Sequence, residues 1–165
     1  GKRCSGKSVL AEGILGFMGE KSDVKETDQF IEYIDYEDGI FLYEVKGIDL
    51  GLENVNKAYE SLEKCIQNGV STVFYCFLAK TGKIEETEID FINRIEREYA
   101  EVNVIPVITG CIDERKANEF ATKIKTELRE REVIITLAKE MKTKVGIIPS
   151  FGIDEVIKKL AGGNM

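Results

Sequence analysis

The chain has 165 residues, a formal net charge of −7, 43% apolar and 32% charged residues, and no histidine. That length suits one domain with a full core, and the acidic balance argues against nucleic acid held by general electrostatics, so DNA is not expected while RNA at a local patch stays open. Without histidine, Ser-His and Cys-His nucleophiles are excluded, and Cys4, Cys65, Cys76 and Cys111, which form no C-x-x-C pair, give no zinc pattern.

The first eight residues, Gly1-Lys2-Arg3-Cys4-Ser5-Gly6-Lys7-Ser8, fit G-x-x-x-x-G-K-[ST], the phosphate-binding P-loop. Glycines let such a loop curl its N–H groups around an anion, and the helix behind adds its positive N-terminal dipole. Lys7 then reaches the β- and γ-phosphates, and the Ser8 hydroxyl takes a place on Mg²⁺. A Gly/Ser/Lys-rich tail could match by chance. The continuation argues against that, because Leu10, Ile14, Phe17 and Met18 recur at helical spacing, and a loop feeding a helix is the context the motif needs. Gly1, Arg3, Cys4, Ser5, Gly6, Lys7, Ser8 and Val9 are the candidate nucleotide-binding residues here.

Gly19 to Asp28 reads as a polar loop. Gln29 to Asp35 and Ile40 to Val45 read as two strands around the turn 36–39, an antiparallel hairpin. Asn54 to Asn68 is an amphipathic helix, and Val70 to Leu78 an almost wholly apolar strand suited to a covered parallel sheet. Glu85 to Tyr99 is helical, Val102 to Thr109 an apolar strand interrupted only by Pro106, and a charged helix runs from Asp113 or Glu114 to about Arg131. Val133 to Leu137 is a short strand. A loop follows through Pro149, and a last helix starts at Gly152-Ile153-Asp154. Alternating β and α segments predict an α/β fold with helices on both faces of a mostly parallel sheet. The acidic run Glu85-Glu86-Thr87-Glu88 suits a helix's first turn, and the mixed charges of Lys123 to Arg131 a solvated face. No apolar run approaches a membrane span, and reduced thiols in a cytoplasmic protein are expected, with Cys65 and Cys76 as core fillers.

Taken together, these motifs resemble the G domain of small GTP-binding proteins of the TRAFAC class. Three stretches are similar, more narrowly, to bacterial ribosome-binding-type GTPases: Tyr43 to Gly51, Phe74 to Phe77 with Ile84 to Glu88, and Leu137-Ala138-Lys139-Glu140. The resemblance spans 1–165 and implies a P-loop NTPase fold with one antiparallel strand, GTP or GDP as ligand, Mg²⁺ as cofactor, and a protein or ribosomal partner. It also implies that a first strand is missing ahead of Gly1, so that the chain is a fragment. Such a fragment should show a gap or a slipped sheet, and be unstable or aggregate.

The same resemblance places Thr27 at the switch threonine that binds Mg²⁺ and senses the γ-phosphate. Glu44-Val45-Lys46-Gly47 stands where the family has Asp-x-x-Gly. Gly47 then offers its N–H to the γ-phosphate, and Glu44 replaces the metal-side Asp, so either the loop adjusts or metal binding is weakened, and Glu44→Asp is expected to tighten Mg²⁺-dependent binding. Ile48 replaces a water-orienting Gln, so hydrolysis is expected to be slow. The guanine motif is incomplete: Thr109-Gly110-Cys111-Ile112-Asp113 lacks its lysine and carries the aspartate one residue late. Asp113 is therefore either a guanine contact or a helix N-cap. Leu137-Ala138-Lys139 fits the last guanine loop, with the Ala138 N–H facing the base oxygen and the Lys139 stem over the ring. Two alternatives stand beside a GTPase, a pseudo-GTPase acting as a scaffold and a P-loop NTPase without strict guanine preference.

Overall fold

The computed structural model describes residues 1–18, 23–35, 40–47 and 52–162. The hairpin turn at 36–39, Ile48 and the rest of 48–51 lie outside the described residues. So do the side chains of Phe17 and Met18.

Helix α1 (Lys7–Met18) leaves the glycine-rich loop directly. Strands β1 (Asp23–Glu26), β2 (Phe30–Asp35) and β3 (Ile40–Val45) form an antiparallel sheet in that order. Helix α2 (Leu52–Gln67) leads to β4 (Thr72–Leu78), a single 3-10 turn (Ala79–Thr81), α3 (Glu86–Glu98) and β5 (Asn103–Thr109). Helix α4 (Glu114–Glu127), β6 (Ile134–Ile135), the hairpin β7 (Met141–Thr143) and β8 (Gly146–Ile148), and α5 (Ile153–Gly162) complete the fold.

Strand β5 lies between β4 and β6, parallel to both, with Tyr75 opposite Pro106 and Ile108 opposite Ile135. Side chains alternate across this sheet, as the period of two requires. Tyr75, Phe77, Val104 and Ile108 pack with α2, α3 and α4 on one face; Cys76, Ile105 and Val107 pack with Leu10 and Ile14 of α1 and Val156 of α5 on the other. Both faces are thus helix-covered, and that is why β4 and β5 read as unbroken apolar runs.

The expected single sheet is instead divided. Strand β3 pairs only with β2, and β4 only with β5, among the described residues. Between the edges of β3 and β4 lies an apolar cavity of about 130 Å³, closed by Leu10 and Ile14 on one side and Ala58, Leu62 and Cys65 on the other.

Three local expectations are corrected. Part of the Gly19–Asp28 loop is strand β1, whose four residues are all exposed and so carry no alternating pattern. The loop before Pro149 contains the β7–β8 hairpin, closed by the Thr143 hydroxyl donating to the Gly146 carbonyl at 2.8 Å. Helix α4 stops at Glu127 because Glu130 N–H turns back to the Lys125 carbonyl at 2.7 Å, with Arg129 and Glu130 at positive φ. Arg131 is therefore no part of a solvated helix face; it donates to the Val104 carbonyl at 2.9 Å and pairs with Glu96.

Candidate functional site

The loop from Gly1 to Gly6 is held from below by strands β4 and β5. A Cβ at Gly1 would lie 2.2 Å from the Cys76 carbonyl oxygen, so only glycine lets the backbone come that close. Cys4 and Gly6 both take positive φ, and a turn bond runs from Ser5 N–H to the Lys2 carbonyl at 3.2 Å. This curl delivers the chain into α1, whose first-turn amides have no partner within a helix. Thr109 fixes it from beneath: its buried hydroxyl, the donor in both bonds, reaches the Ser5 carbonyl at 2.6 Å and the Phe77 carbonyl at 3.2 Å. Sequence reading took Thr109 only as the end of a strand and the start of an incomplete motif. Its role was hidden because the bond spans 104 residues.

Lys7 folds back over this loop. Its ammonium donates to the Lys2 carbonyl at 2.7 Å and, at 3.4 Å, to the Gly1 carbonyl and the Ser5 hydroxyl. Burial pushes the Lys7 pKa below the ordinary lysine range, partly offset by nearby Cys76 and Glu44. The cation is thus surrounded mainly by neutral oxygens, which an anion can replace. Lys2 ties the same loop to α3 through ion pairs with Glu85 and with buried Glu88, the latter at 3.4 Å. Glu85 and Glu88 form the capping box of α3, so the acidic run is the negative helix start expected, with an anchoring task added.

Strand β3 brings the second group of candidates to the loop. The Ser8 hydroxyl donates to Glu44 Oε1 at 2.5 Å, across 36 residues of sequence. The longer glutamate side chain therefore reaches Ser8 directly. Gly47 lies against the loop backbone, where a Cβ would come within 2.6 Å of Arg3 Cα. Arg3 and Cys4 are exposed beside it, and Val9 is exposed on the first turn of α1.

The loop after β6 meets the other flank of α1. Ala138 abuts Gly13, where a Cβ would sit 3.2 Å from that of Ala138, and the Lys139 ammonium is ion-paired with Glu12. Glu12 was not singled out from sequence.

Two candidates are engaged elsewhere. Thr27 sits in the turn between β1 and β2, where its hydroxyl donates to the Phe30 carbonyl at 2.9 Å and accepts from Gln29 and Phe30 N–H groups at 3.2 and 3.1 Å. Asp113 is the N-cap of α4; it accepts the Lys116 N–H at 3.1 Å, and that bond holds its carboxyl below the usual range. Cys65, Cys76 and Cys111 are buried free thiols, while Cys4 is exposed.

No helix among the described residues is long and apolar enough to cross a membrane. A scan against protein-family models and a search of curated proteins both found no match to this chain.

Proposed function

We propose that this chain is a Mg²⁺-dependent GTP-binding domain that hydrolyses GTP slowly and works as a nucleotide-controlled switch. One observation carries the reading: Ser8 and Glu44, 36 residues apart, meet at 2.5 Å beside Lys7 at the mouth of a glycine-rich loop. Neither residue is needed there by the core, and the donor set is hard oxygen, which suits Mg²⁺. Since Ser8 gives its proton to Glu44, its lone pairs are left for a cation. Among the described residues no group of three His, Cys, Asp or Glu side chains could hold a metal alone. The cation is therefore expected to arrive with the phosphates. Once there, Mg²⁺ would neutralise charge that develops on them.

The remaining work falls to this chain's own groups. The first-turn amides of α1 and the Lys7 ammonium hold the phosphates and oppose the negative charge of the transition state. Gly47, against Arg3, offers a backbone N–H on the γ-phosphate side. Ala138 and Lys139 are proposed to border the base. Thr27 is proposed to join the cation only when its turn opens, and that order–order change would be the switch. With Ile at position 48, no side chain there can orient water by hydrogen bonding.

Hydrolysis is accordingly expected to be about 10⁻³ s⁻¹ or slower without a partner. Single-turnover phosphate release tests this, and a rate on the order of one per second would contradict it. Asp113 favours a second reading, an NTPase without strict guanine preference, because its carboxylate caps its own helix. Competition by ATP against a fluorescent guanine nucleotide separates the two. Displacement only at ATP levels at least about 100-fold above those of GTP supports guanine selectivity; equal potency supports the second reading.

A further inference from the structure

We infer that Tyr33 is a positioning residue for Glu44, holding its carboxylate in the orientation that serves the cation at Ser8. The inference rests on the proposed Mg²⁺-nucleotide reading. In the β2–β3 register Tyr33 stands opposite Leu42, and Ile31 opposite Glu44, so Tyr33 and Glu44 share one face of the hairpin as diagonal neighbours. The Tyr33 hydroxyl donates to Glu44 Oε2 at 3.3 Å while Ser8 donates to Oε1 at 2.5 Å. Each carboxylate oxygen thus has its own donor.

This arrangement answers a difficulty posed by glutamate itself. Its extra methylene adds a rotatable bond relative to aspartate, and Mg²⁺ tolerates misplaced ligands poorly. A second donor on the far oxygen restrains that freedom, as outer partners commonly do for metal-side ligands. Tyr33 is half-buried, and a phenol, with an ordinary pKa of about 10, remains a donor at neutral pH. The phenol reaches no atom expected to react. It acts through Glu44.

The test compares wild type with Tyr33→Phe by Mn²⁺ electron paramagnetic resonance in the presence of GDP, and by GDP affinity in excess chelator. Tyr33→Phe is expected to weaken Mn²⁺ binding roughly tenfold and to leave metal-free GDP affinity unchanged. In a Glu44→Asp background, whose carboxylate stands further from the phenol, adding Tyr33→Phe is expected to change Mn²⁺ affinity less than about twofold. Undiminished Mn²⁺ affinity in Tyr33→Phe, or equal losses with and without metal, would overturn the inference. Wild type that binds GDP but takes up no Mn²⁺ would instead overturn the metal reading beneath it.

Discussion

Replacing Lys7 by alanine is expected to lower affinity for GDP and GTP at least about 100-fold, while unliganded protein melts within a few degrees of wild type. Charge-assisted contacts to phosphate contribute roughly 1.5–3 kcal/mol each, and a lysine reaching two phosphates supplies about 3 kcal/mol or more. The free protein loses far less. Lys7 bonds only neutral oxygens, and its shortest acceptor, the Lys2 carbonyl, also receives the Ser5 N–H at 3.2 Å. The Lys2 carbonyl therefore keeps a donor, and a partly desolvated ammonium is removed. Fluorescent-nucleotide titration beside thermal melts makes the comparison. Unchanged affinity would remove the phosphate-loop assignment; collapse of the fold would show that Lys7 is structural.

The cavity between β3 and β4 sets up the second large effect. Fusing five or six apolar, β-forming residues directly ahead of Gly1 is expected to raise the melting temperature by about 5–15 °C, on the order of 2–4 kcal/mol. The slot is walled by Leu10 and Ile14 from α1 and by Leu62 and Cys65 from α2, with the edges of β3 and β4 in separate sheets and not paired to each other among the described residues. Such edges carry hydrogen-bonding groups that a strand can satisfy. Each apolar side chain buried there contributes roughly 1.5–3 kcal/mol, against roughly 1–2 kcal/mol per residue for ordering the segment. Hydrogen exchange should slow in β3 and β4 together. A Gly/Ser segment of equal length is the control; if it does as well, or if neither changes exchange, the slot does not accept a strand.

How much of this was legible in the sequence follows from where each signal resides. Strands β4 and β5 announce themselves because both faces are covered, and helices α2 and α3 because one face is apolar. The glycine-rich loop is legible because backbone geometry restricts it: a Cβ at Gly6 would meet Thr109 Oγ1 at 2.6 Å. Strand β1 and the β7–β8 hairpin were not legible, since short exposed strands have no alternation to read. The site divides in the same way. Lys7 and Ser8 belong to a local motif. Glu44 was assigned through resemblance, and the structure adds that its longer side chain reaches Ser8. Thr109, Glu12 and Tyr33 act through partners 104, 127 and 11 residues away, so no local pattern marks them. Thr27 and Asp113 share the opposite difficulty. Thr and Asp are common turn and cap formers, and here each hydrogen-bonds its own turn or helix end.

The central claim is that Lys7, Ser8 and Glu44 form one Mg²⁺-assisted phosphate site. Calorimetric titration of the wild-type chain with GDP, run with Mg²⁺ and again with excess chelator, tests it most directly. One saturable site is expected, with affinity falling at least about tenfold when the metal is removed. No binding of GDP at millimolar concentration, or binding indifferent to Mg²⁺, would contradict it.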